Sequence, residues 1–69
     1  MKLHYYPDTD SLYIDLAERA SVESREITEN LVVDYGEDGR IVGLDIQHAS
    51  VCIDLSKVET EHLPLPVSM

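Results

Sequence analysis

The 69-residue chain holds one cysteine, three glycines, and five lysines and arginines against fourteen acidic side chains. Each shortage excludes something. One cysteine, Cys52, rules out an intramolecular disulfide and a thiolate metal cluster. The few cations leave a formal net charge of −9, and such a surface repels phosphate backbones. Direct nucleic-acid binding is therefore not expected, whereas solubility and attraction to a basic partner are. No stretch approaches the ~18 apolar residues of a membrane helix, so no membrane partner is expected. The opening "MKLHYY" lacks the apolar run of a signal peptide, which, with a lone thiol, gives a cytoplasmic expectation. Gly36, Gly39 and Gly43 do not have the spacing of a phosphate-binding loop or a dinucleotide fingerprint.

What remains must fold with little help. A chain this small buries only about 60% of its unfolded surface. Below roughly 70–80 residues a single core rarely supplies more than ~3–5 kcal/mol without a staple. With disulfides excluded, the staple is a metal, unusually good packing or self-association, and the sequence favours self-association as a dimer.

Short alternating runs separated by polar turns predict strands. "LHYY" gives way to "PDTD" and then to "SLYIDL", where Leu12, Ile14 and Leu16 alternate with Tyr13 and Asp15. Pro7 pre-sets φ for a turn, and Asp8 and Asp10 can bond their own backbone there. With "PDTD" as a four-residue loop, Tyr6 faces Ser11, Tyr5 faces Leu12, His4 faces Tyr13, Leu3 faces Ile14 and Lys2 faces Asp15. Leu3, Tyr5, Leu12, Ile14 and Leu16 then share one face, and a one-residue slip would scramble the sorting. "VESREI" reads as a polar edge strand; its rival is a helix from about Ser21 to Val33, carried only by the spacing of Ile27 and Leu31.

The stretch "DYGEDGRIVGLD", from Asp34 to Asp45, imitates part of a calcium-binding loop. A hairpin explains it better. With Gly36–Gly39 as a four-residue loop, Val33 faces Val42, Leu31 faces Leu44 and Asp34 faces Ile41. Glu37 and Asp38 suit a type I turn, and Gly39 supplies φ > 0 at its exit. In that register Asp34 and Asp45 stand four steps apart, about 13 Å, too far to share an ion. Gly43, in mid-strand, predicts a bulge or a close approach by another backbone. Beyond "QHAS", "VCIDL" reads as a further short strand. "SKVE" has the form of a capping box, which would open a short helix at Ser56 before Pro64 and Pro66 end it.

Little here points to chemistry. His4, His48 and His62 have no zinc-motif spacing, and no metal site or cofactor is expected. His48 and Cys52 touch only if they share a helix, and Cys52 reads better as a buried small hydrophobe in an apolar run. The carboxylates are dispersed rather than paired in an apolar site. The expectation is therefore a non-enzymatic domain. Tyr6, Tyr13, Val32 and Ile41 fall opposite the expected core, beside His4, and form the candidate binding surface. Pro7, Asp10, Gly36, Gly39 and Gly43 are the candidate turn residues.

Two stretches, "KLHYYPDTDSLYIDL" and "VVDYGEDGRIVGLDIQHAS", together resemble a short prokaryotic family, domain of unknown function 2283. The likeness rests on Lys2-Leu3, Tyr5, Asp10, Leu12-Tyr13-Ile14 and Leu16, then on Asp34-Tyr35, Gly39, Val42-Gly43-Leu44, Ile46 and Ala49-Ser50. It spans about residues 2–50; Gly36 and Asp45 depart from the usual polar turn residue and Glu. The resemblance implies a compact β-rich domain with no catalytic residue, substrate or cofactor to carry over. It also implies the idea of an antitoxin-like partner for a small basic protein.

The expected fold is α+β, mostly β: an antiparallel β-meander of four to five strands with a short C-terminal helix. One domain covers residues 1–62, and a Pro-containing tail covers 63–69. The expected role is a non-catalytic protein–protein interaction module. The alternative is a metal- or small-ligand-binding regulatory domain, using His4 and nearby acids across a homodimer interface.

Overall fold

A computed structural model describes residues 1–64 of the chain. It contains five antiparallel strands in one sheet and one short helix: β1 (Lys2–Tyr6), β2 (Ser11–Asp15), β3 (Glu23–Thr28), β4 (Leu31–Tyr35), β5 (Ile41–Ile46) and α1 (Ala49–Cys52). The fold is mostly β and α+β in class. The spatial order is β1-β2-β5-β4-β3. β3, β4 and β5 form a meander, and β5 returns to pair with β2 in the middle of the sheet. This order puts the apolar alternation of β2, β4 and β5 in the centre. The polar β3, exposed along all six residues, takes one edge, and β1 takes the other. A bulge between Glu26 and Thr28 interrupts the β3 ladder, a common way to blunt an edge.

The first hairpin has the register read from its sequence, from Lys2↔Asp15 to Tyr6↔Ser11. The second does not. Gly36 N–H donates to the Arg40 carbonyl at 2.8 Å and Gly39 N–H to the Gly36 carbonyl at 3.0 Å. The loop therefore closes at Gly36 and Arg40, around a turn through Glu37 and Asp38 that exits at Gly39 with φ 81°. It is a turn-plus-αL hairpin, not the four-residue loop expected. Tyr35 pairs with Ile41, and a bulge then carries the ladder to Asp34↔Gly43, Val33↔Leu44 and Leu31↔Ile46. Val42 is the extra residue, 2% exposed. Beyond the bulge the total slip is two residues, so Leu31, Val33, Leu44 and Ile46 still share a face, as expected from strand alternation.

The helix also departs from expectation. It lies at Ala49–Cys52, inside "ASVC", not at Ser56. The Ser56 N–H and hydroxyl both donate to the Asp54 carboxylate, a local turn that competes with helix initiation. "VCIDL" therefore forms no strand, and the rival helix over Ser21–Val33 is replaced by β3 and β4. Of the expected tail, residues 65–69 lie outside the described residues.

One face of the sheet holds Leu3, Tyr5, Leu12, Ile14, Leu31, Val33, Leu44 and Ile46. Residues 53–58 run beside its β1–β2 end, where Ile53, Leu55 and Val58 line a groove with Leu3 and Leu12. The buried apolar core is small, comprising Leu12, Val33, Val42 and Ala49. The shortest dimension, 19 Å, is that of one sheet with a single covering layer at the usual ~10 Å packing distance.

Nothing lies within 4 Å of a Cβ added at Gly39, so a side chain there meets strain but no clash. Gly39→Val is expected to lower stability by about 1–2 kcal/mol, and Gly39→Asn by clearly less, in urea denaturation. Equal losses would mean that φ is not the constraint.

Candidate functional site

Two polar clusters organise the sheet, one on each side of the hairpin it is built on. The first lies on the face opposite the apolar residues. Paired residues project to the same face, so two cross-strand rows can be read there. One runs His4, Tyr13, Asp45, Val32, Glu26 across all five strands; the other runs Lys2, Asp15, Gly43, Asp34, Ser24. Apart from the buried Gly43, every member is exposed or half-exposed.

Gly43 makes this face work. A Cβ at that position would stand 1.9 Å from the Tyr13 hydroxyl oxygen, which no real side chain tolerates. Its absence lets the Tyr13 ring lie across β5. The close approach at Gly43 therefore comes from a side chain, not from the backbone expected. The Tyr13 hydroxyl donates to Asp34 Oδ2 at 2.8 Å, and Ser24 Oγ donates to Asp34 Oδ1 at 2.6 Å. One carboxylate thus joins β2, β4 and β3 over the strand between them. Burial, the hydrogen bond to Asp34 and the nearby Asp15 and Asp45 push the Tyr13 phenol up to about 12.

The second cluster surrounds Asp10, which closes the first turn with φ 54°. Its carboxylate accepts from the Tyr5 hydroxyl at 2.7 Å, from Ser50 N–H at 3.1 Å and from Ser50 Oγ at 2.6 Å. Its carbonyl accepts from Ala49 N–H at 2.8 Å. These bonds hold the start of α1 against the β1–β2 turn. The hydrogen bonds from Ser50 and Tyr5, with the charge of His48 a smaller influence, hold the Asp10 carboxyl below its ordinary value. The same contact raises the Tyr5 phenol.

Of the candidate binding residues, His4, Tyr13 and Val32 fall in one row. Tyr6 joins them by packing its ring 4.4 Å from that of His4. Ile41 does not. The hairpin places it opposite Tyr35, hence on the face of Leu31 and Val33, because the loop and the bulge each shift the register. The same shift corrects the spacing of Asp34 and Asp45, which are two steps apart on the outer face, about 7 Å along the strand, rather than four. Sequence reading placed Asp15 on the face of Tyr13 but missed that Asp45, Asp34 and Glu26 join it there. Only the cross-sheet register, which no local pattern encodes, gathers them.

The other candidates are separated. Pro7 and Asp10 lie in the first turn, Gly36 and Gly39 in the second. Asp38 accepts from Arg19 and from the Arg40 N–H, at 2.8 and 3.0 Å. Its carboxylate is thus engaged away from Asp34 and Asp45. His48 and Cys52 do share the helical turn, but His48 Nδ1 lies 3.3 Å from Asn30 Oδ1, and Cys52, exposed rather than buried as expected because the short helix leaves the sheet, has its Sγ 3.7 Å from the Gln47 carbonyl. Among the described residues, no three His, Cys, Asp or Glu side chains converge in a way that could hold a metal. No helix among them is long and apolar enough to cross a membrane.

A single five-stranded antiparallel sheet, pinned to a one-turn helix through Asp10, defines a small α+β domain. The chain belongs to the family described as Protein of unknown function (DUF2283), whose model matches residues 2–50. That span covers the whole sheet and ends at Ser50, the residue that bonds Asp10. No curated protein and no solved structure matches the chain.

Gly43→Ala is expected to expel the Tyr13 ring and to cost more stability than Tyr13→Phe. Tyr13→Phe removes one hydrogen bond, worth about 1 kcal/mol. Chemical denaturation of both variants checks the order. Because folding raises the Tyr13 phenol, its contribution is complete below pH 10 and fades as the pH rises towards 12. A tyrosinate absorbance titration should show a late-ionising phenol that disappears in Tyr13→Phe.

Folding depresses the Asp10 carboxyl, so its contribution is present above the ordinary carboxylate range and is lost as the pH falls through the folded value. Asp54, held low by Ser56, titrates in the same window. Asp10→Asn is therefore expected to be less stable at neutral pH and to have a shallower, not absent, acid limb in thermal melts.

Proposed function

We propose that this domain is a non-catalytic protein–protein interaction module whose outer sheet face receives a basic protein. The observation that carries the reading is the arrangement of that face. Asp15, Asp34, Asp45 and Glu26 surround Tyr13 and Val32, with the His4–Tyr6 pair at one side. Aromatic and apolar side chains ringed by charge are the usual anatomy of a contact patch. Four carboxylates against the lone cation Lys2 favour a positively charged partner. The net charge of −9 reinforces that preference at long range.

A domain that shields a basic partner in this way would act as an antitoxin-like neutraliser, and it needs no chemistry of its own. The polar clusters support a structural role. The Asp34 carboxylate is used by Tyr13 and Ser24, and the Asp10 carboxylate, pushed down rather than up, is not poised as a general acid or base.

The test is affinity capture from native lysate with the wild-type chain and with a Glu26→Lys/Asp45→Lys variant that retains the wild-type circular dichroism. A basic protein held by the wild type, released by moderate salt and lost in the variant, is the expected result. A captured protein held equally by both would refute the outer face as its site.

A further inference from the structure

We infer that the β1 edge is a self-association surface, on which a second copy pairs antiparallel to extend the sheet across a two-fold axis. The two edges of the sheet differ. β3 is polar, charged at Glu23, Arg25 and Glu26, and interrupted by a bulge. β1 has one charge, Lys2 at its end, and no bulge: its register with β2 is unbroken and Leu3, Tyr5 and Tyr6 are 47%, 41% and 48% exposed. An open, regular, apolar edge leaves a row of backbone donors and acceptors ready to template another strand.

Charge selects a second copy as the occupant. In a chain of net charge −9, every other strand contains at least one carboxylate, whereas β1, "KLHYY", contains none and has Lys2. Among the described residues it is the only strand along which two copies meet without opposing acids. Lys2 also lands at the end of the neighbouring strand, where the turn with Asp8 begins.

The strand is self-complementary as well. Centred on His4, an antiparallel pair sets Lys2 against Tyr6, Leu3 against Tyr5 and His4 against itself, with no residue left over. Leu3 and Tyr5 of the two copies then form one continuous apolar stripe. Area points the same way. A stable interface buries about 800 Å² per partner, roughly one-seventh of this chain's 5681 Å² surface. Five edge residues alone fall short of that. The groove of about 560 Å³ beside Leu3 and Tyr5, walled by Leu55 and the 73% exposed Val58, adds apolar surface contiguous with the edge.

The edge shares the backbone of His4 and Tyr6 with the outer-face patch, but Leu3 lies on the opposite face, so Leu3→Glu leaves the side chains of that patch in place. Light scattering across a dilution series should give the wild type about twice its 7.8 kDa chain mass. Leu3→Glu, at a position 47% exposed, should weaken the dimer by about a hundredfold, since the lesion occurs on both copies. Register is tested in a Cys52→Ser background. His4→Cys should form a disulfide dimer readily, whereas Tyr6→Cys, whose two copies lie about 13 Å apart along the strands, should not. If Leu3→Glu fails to fold, this cross-linking pair decides. A monomeric wild type, an unmoved dissociation constant in a folded Leu3→Glu, or equal cross-linking at the two positions each overturns the inference.

Discussion

Asp10 accepts hydrogen bonds from Tyr5 in β1 and from Ser50 at the start of α1, and its own carbonyl holds Ala49. Three parts of the chain that would otherwise diverge therefore meet at one carboxylate. β5 pairs with β2, so its end emerges beside the first turn, and the Asp10 contacts bind the chain there as it leaves the sheet. That anchoring delivers Ile53, Leu55 and Val58 to the groove beside Leu3. Without it a five-stranded sheet would present both faces bare, which a chain of 69 residues, with four buried apolar side chains among the described residues, can ill sustain.

The two faces then take different roles. The apolar face gains partial cover from the C-terminal segment. The other is organised by Tyr13, whose ring lies over Gly43 and whose hydroxyl reaches Asp34. Its acids are held in fixed rows rather than scattered, which turns a diffuse negative charge into a defined patch. The bare β1 edge lies between these faces. In the proposed dimer, a second copy paired there would continue the outer face across the two-fold axis.

Much of the fold was legible because short-range chemistry dictates it. The β1–β2 register followed from Pro7, from Asp10 and from the alternation of Leu12 and Ile14, and the polar edge strand followed from "VESREI". The second hairpin was legible only in part. Alternation identified Leu31, Val33, Leu44 and Ile46 as one face, but a face assignment is unchanged by a slip of two residues. Gly43 signalled a bulge, and one lies beside it at Val42, but neither its effect on register nor the shortened loop was read, and Ile41 was misplaced. The helix was misplaced for a related reason. "SKVE" has capping letters, but Asp54 takes Ser56, while Asp10, forty residues away in sequence, takes Ser50.

The sequence by itself determined the class, the first hairpin, the membership of residues 2–50 in their family and the acidic balance of the chain. These depend on composition and on neighbours within a few residues. Tertiary structure alone decided that β5 sits beside β2, that Tyr13 crosses Gly43 to Asp34, and that Asp45 and Glu26 join them on one face. Those outcomes depend on which strands share backbone hydrogen bonds across the sheet. Pairing of that kind is a property of the whole chain, settled by packing and register rather than by any local pattern of residues.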